Sequence, residues 1–97
     1  MLPSSVVNAV GLYYGIPRRD LLSHRRTARL ATARLMAYYM MRKELGMSWN
    51  EIAYELRRND HNTVMRGCRS FKKKLDSSDK LRLDYRKIML QLETHHE

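Results

Sequence analysis

The chain predicts an all-α fold, a compact domain of about six helices built around a helix-turn-helix, on three observations. Only two prolines and four glycines interrupt 97 residues, which leaves room for long helices. Apolar residues recur at helical spacing, most cleanly in Val64, Cys68, Phe71 and Leu75 at i, i+4, i+7 and i+11. Ser48 and Glu51 write an S-x-x-E capping box, and a second helix start at Asp60 follows after a short basic turn.

Each element has its own justification. Ser4 or Ser5 is a candidate cap for a first helix whose stripe is Val6, Val7, Val10 and one of Tyr13 and Tyr14. Gly15 ends it, and Pro17 opens a short helix through Leu21 and Leu22. Ser23-His24-Arg25-Arg26 is a basic connector. Thr27 then caps the longest helix, about 28–45, with Leu30, Ala33, Ala37, Met40 and Met41 turned inward and Gly46 as its stop. The capping box starts a helix with Ile52, Ala53 and Leu56 inward. Arg57-Arg58-Asn59 makes the turn, and Asp60 caps a helix running to about Leu75. Asp76-Ser77-Ser78-Asp79 breaks the chain before a last helix with Leu81, Tyr85, Ile88 and Leu92 inward. No internal repeat or linker divides the sequence, so residues 1–97 are expected to form a single domain.

The charge is concentrated where the turn lies. Net charge is +9, with +10 in residues 18–74, none in residues 1–17 and −1 in residues 75–97. Such a basic middle suits a polyanion, a membrane surface or plain solvation. No basic amphipathic helix with exposed aromatics stands out, so nucleic acid is favoured over a membrane. No apolar run is long enough to span a bilayer, and no basic leader precedes an apolar stretch. The lone Cys68 fits a reducing compartment, and the expected location is cytoplasmic.

At the start of the Asp60 helix, an acid precedes short hydrogen-bonding side chains, His61-Asn62-Thr63, and later turns carry five basic residues between Met65 and Leu75. A helix-turn-helix protein presents its recognition helix in this way, with the N-terminal residues at base edges. His61 is open to three readings: base contact, a structural role, or a metal or catalytic role. Its possible metal partners, Cys68, His24, His95 and His96, have no recognised ligand spacing. Asp60 has a sufficient structural reason in the cap, worth ~1 kcal/mol, and is also a possible acceptor from cytosine. Arg25 and Arg26, with Arg29 one turn on, precede or open a helix, where the dipole disfavours cations, so an anion or simple solvation is expected there. Arg57, Arg58, Lys72, Lys73 and Lys74 read as solvated or phosphate-facing, and Trp49 as core or a packing lid. No phosphate loop, zinc motif or nucleophile elbow is present, so no enzyme activity, metal or cofactor is expected.

Further runs resemble a known family: Tyr13-Tyr14-x-Ile16, Asp20 through Arg26, Ala33-Arg34-x-Met36-Ala37-Tyr38-Tyr39, Ser48-x-x-Glu51-Ile52 and Asp60-His61-Asn62-Thr63-Val64. In that order they are similar to the C-terminal DNA-binding domain of the bacterial replication initiator DnaA, whose fold is Trp-repressor-like. The resemblance implies binding to a nine-base-pair duplex element, the DnaA box. It implies Arg26 in the minor groove, Asp60, His61 and Thr63 in the major groove, and Arg25, Arg34 and the backbone around Val64 near phosphates. With Arg29, Asn50, Asn59 and Asn62 added, these residues are the expected DNA-contacting set. The family usually has Thr at Asn62, Arg at Asn59, Gln or His at Leu35 and Lys at His24. Asn prefers adenine whereas a Thr methyl meets thymine, so a shifted preferred sequence is expected.

The initiator joins this domain to an ATP-dependent oligomerising motor, which these residues lack. Beginning at Met1 and ending past the last helix, the chain reads equally as a complete small protein or an excised domain. Expected roles are replication initiation or its regulation, or transcriptional control. The alternatives are a protein-interaction module, a competitor of the host initiator, or nonspecific nucleic-acid binding. The expected partner is double-stranded DNA, with replication or regulatory proteins as further candidates. A monomer is expected, because no further apolar stripe is evident.

Overall fold

In a computed structural model, which describes residues 1–94, six helices follow in chain order. They are α1 (Pro3–Tyr14), α2 (Arg18–Leu22), α3 (Ala28–Leu45), α4 (Trp49–Glu55), α5 (His61–Ser77) and α6 (Asp79–Thr94). Most local signals act as read, and the first cap is a correction. Leu2 is the N-cap of α1 and Pro3 its first helical residue, so neither Ser4 nor Ser5 caps it. Proline suits that place because its missing N–H has no intrahelical acceptor to lose. Gly15 and Gly46 end α1 and α3 with φ of 68° and 64°, a region that costs an L side chain strain. Thr27 Oγ1 accepts from the Leu30 N–H at 3.1 Å, and the Ser48–Glu51 box closes in both directions. α5 runs on to Ser77, so the break before α6 is shorter than the sequence suggested.

α3 is the central element, touching α1, α2, α4 and α5. Its buried positions therefore go well around the helix: Leu30, Ala33, Arg34, Met36, Ala37, Tyr38, Met40 and Met41. α5 crosses α3 at Gly67, where a Cβ would lie 2.8 Å from Leu35 Cδ2. That close approach lets Phe71, Met36 and Met40 fill one core with Val6, Val10, Ile52 and Leu56. Fully burying each such large side chain stabilises by roughly 1.5–3 kcal/mol.

α6 closes the fold against α1 and α5. It brings a buried acid: Asp84 is 3% exposed and accepts from Tyr13 Oη at 2.5 Å and Tyr14 Oη at 3.3 Å. Burial, the Asp84 charge and this hydrogen bond push the Tyr14 phenol upward in pKa. Leu12, Leu83 and Leu90 stay exposed on α1 and α6. No described helix is long and apolar enough to cross a membrane.

Candidate nucleic-acid interface

α4 and α5 form the helix-turn-helix, and the backbone between them is unusual. Arg57 has φ of 56°, in the left-handed region where glycine is the common occupant after a helix. There the Arg57 N–H donates to the Tyr54 carbonyl at 3.1 Å and the Arg58 N–H to the Ala53 carbonyl at 2.7 Å. This pair of bonds is a Schellman motif, closing α4 and swinging the chain toward α5. The strain at Arg57, of order 1–2 kcal/mol, is held by those two bonds and by the burial of Leu56.

α5 then begins in the open. Asp60 Oδ1 accepts from the Asn62 N–H at 2.9 Å, which fixes the first turn. His61, Asn62 and Thr63 are exposed, and their side chains make no hydrogen bond among the described residues. Val64 is fully buried, backbone included, and turns into the core behind the exposed turn. Asn50, in the first turn of α4, and Asn59, in the turn, are both exposed.

The basic loop, residues 23–27, is pinned rather than loose. Arg34 is 6% exposed and its guanidinium serves four carbonyls. Nε donates to Leu21 at 2.9 Å, Nη1 to Arg25 at 2.7 Å, and Nη2 to Asp20 and Ser23, each at 2.9 Å. Desolvation, reinforced by the nearby charge of Arg58, lowers its pKa, although a guanidinium stays protonated. This corrects the expectation of Arg34 near a phosphate: its donors are committed inside the protein, and it builds the loop. The sequence held a clue, because Arg34 lies on the stripe of Leu30, Ala33 and Ala37.

Arg58 is corrected in the same sense. It is half-buried, donates from Nε to the Leu56 carbonyl at 3.0 Å, and reaches the Leu22 and Ser23 carbonyls through Nη2. Arg29 also has a structural partner set, donating to the Tyr14 and Gly15 carbonyls at the end of α1. That contact accounts for a cation at the start of α3 without an external anion. Arg25 is exposed and pairs with Asp20 at 3.6 Å, a separation of little energetic weight at the surface. Arg26 is exposed and makes no hydrogen bond or ion pair among the described residues.

Loop and turn sit side by side. Leu22, His24, Tyr54, Arg57, Arg58 and Asn59 are among the residues that line one open cleft. Trp49 is half-buried beneath the Arg42 guanidinium, 4.2 Å from its ring centroid, which fits the lid reading. Among the described residues no group of three His, Cys, Asp or Glu side chains could hold a metal ion. His95 and His96, weighed as metal partners, lie outside the described residues. Cys68 is buried on the core face, where desolvation raises its thiol pKa.

Comparison with known proteins agrees with this geometry. Residues 3–70 match the family described as the bacterial dnaA protein helix-turn-helix. The chain is also similar to the chromosomal replication initiator protein DnaA of Thermomicrobium roseum, at 30% identity over 92 residues. That alignment covers 95% of the chain but 20% of the relative, so the chain spans about a fifth of the length of the initiator it matches. Membership supports DNA binding, and α6 falls beyond the matched region. The chain belongs to the bacterial DnaA helix-turn-helix family.

Proposed function

We propose that this protein reads a specific duplex DNA sequence of the DnaA-box kind. Asp60, His61, Asn62 and Thr63 at the start of α5 face base edges in the major groove, and Arg26 enters the adjacent minor groove. Arg25 and Arg57 meet phosphates, while Arg34 acts from within by shaping the loop and Val64 anchors the reading turn to the core. Asn50 and Asn59 flank the same surface. The observation that carries this reading is the adjacency of the loop bearing Arg26 to the turn that leads directly into the exposed start of α5, with Arg58 bonded across them. Short polar side chains at a helix start read bases, whereas arginines and backbone fix the register on the sugar-phosphate chain.

Such a reader serves replication initiation, its control, or transcriptional regulation. Asn62 is the residue that shifts its preferred sequence, because a carboxamide pairs bidentately with adenine. The test is selection of bound sequences from a random duplex pool at near-physiological salt. A discrete motif related to the DnaA box is the expected result. Uniform recovery of all sequences by folded protein would overturn sequence reading and leave phosphate neutralisation, which carries no sequence information.

A further inference from the structure

The loop at residues 23–27 and the turn at residues 57–60 are far apart in the chain, yet one side chain ties them. Arg58 and Ser23 are separated by 35 residues. Arg58 Nε holds its own side of the junction at the Leu56 carbonyl, 3.0 Å away. Nη2 holds the other side at the Leu22 carbonyl, 3.2 Å away, and at the Ser23 carbonyl. Ser23 also accepts from Arg34, so one peptide oxygen is the common anchor of two guanidinium groups from different helical regions. Neither guanidinium is ion-paired among the described residues; the Asp20 carboxylate is turned to Arg25 instead. Backbone carbonyls, rather than carboxylates, receive the two guanidinium groups. The bonds of Arg34 fasten the loop to α2 and α3, whereas those of Arg58 fasten it to the helix-turn-helix.

We infer that Arg58 is a positioning residue for sequence reading, setting the spacing between the loop that carries Arg26 and the first turn of α5. The inference rests on the DNA-reading function proposed above. A duplex read in both grooves at once requires both readers at a set separation. A joint that is ordered before binding spares the complex the cost of ordering it. The planar fork of arginine suits this work because Nε and Nη2 sit rigidly along one edge, so carbonyls from the turn and from the loop meet donors held in a single plane. Lysine keeps the charge but offers a single nitrogen on a flexible stem.

Arg58→Ala and Arg58→Lys, both checked for helical content by circular dichroism, are titrated against the selected duplex and a scrambled one across a salt series. Backbone amide spectra of the free proteins are recorded alongside. Both variants are expected to lose discrimination between the duplexes, roughly tenfold, while the salt slope stays within a fraction of the wild-type value. Loss of preference concentrates at the positions read by the loop. In the free variants the amides of residues 23–27 shift and become more mobile, which a general loss of stability would not confine to that loop.

Any one of five results would overturn the inference. One is recovery of full discrimination by Arg58→Lys. Another is equal weakening on both duplexes with a salt slope reduced by about 0.9, the mark of a lost phosphate contact. A third is an unchanged loop spectrum in Arg58→Ala. A wild-type protein that fails to discriminate would sink the DNA-reading function itself, and the positioning role with it. Discrimination kept by both wild type and Arg58→Ala would sink the positioning role alone.

Discussion

Replacing Arg34 by methionine keeps most of the side-chain stem and removes the guanidinium that feeds four carbonyls. The cost falls unevenly. The Asp20 carbonyl still accepts from the Ser23 N–H at 3.2 Å and the Ser23 hydroxyl at 2.7 Å, and the Ser23 carbonyl still has Arg58. The Arg25 carbonyl belongs to an exposed residue and can turn to water. The Leu21 carbonyl is the one stranded, since its residue is fully buried. An unsatisfied buried carbonyl costs ~1–3 kcal/mol, and the lost charge-assisted bonds bring the total to about 2–4 kcal/mol. For a chain of this size that lowers Tm by on the order of 10–30 °C. Urea unfolding followed by circular dichroism should show a lower midpoint with an unchanged slope. A shift below about 0.5 kcal/mol, together with a shallower salt dependence of DNA binding, would refute this account and return Arg34 to the surface as a phosphate contact.

Other perturbations have signs that follow from the geometry. Arg57→Gly removes the left-handed strain after α4 and should raise stability by about 1 kcal/mol in the same unfolding assay; a destabilised variant would show that the turn is not strained. Asp84→Ala leaves the half-buried Tyr14 hydroxyl without its acceptor, while the exposed Tyr13 can turn to water, and should cost about 1 kcal/mol, with an unaltered midpoint as the contrary result. Tyr14 and Tyr85 have phenol pKa values raised above the ordinary 10.0, first by burial and then by the Asp84 and Glu44 carboxylates respectively. Their neutral forms favour the fold. That stability is fully present below pH 10 and is lost as pH climbs toward the folded values, because the unfolded chain releases these protons first. Urea midpoints should therefore fall between about pH 10 and 11 in the wild type, and less steeply in Tyr85→Phe. Parallel curves would count against a buried phenol at Tyr85.

Almost every helix was legible in the sequence because the signals are local. A cap such as Thr27 or Asp60 acts on N–H groups two or three residues away, and a stripe such as Val64, Cys68, Phe71 and Leu75 is a property of one helix. The exposed first turn of α5 was legible for the same reason: an Asp cap followed by short polar residues describes itself. What the sequence left undecided was which cations are spent. Arg25, Arg26, Arg29, Arg34 and Arg58 look alike along the chain, and each has a different fate in the fold. Arg34 and Arg58 turn inward to carbonyls exposed by the end of α2, Arg29 caps α1, Arg25 pairs with Asp20, and Arg26 is left unpaired among the described residues. The Asp84–Tyr13 bond, across 71 residues, was equally invisible. Periodicity reports where a side chain points relative to its own helix. Only the packing of one element on another decides which orphaned carbonyls and buried acids it meets there, and so which charges remain for DNA.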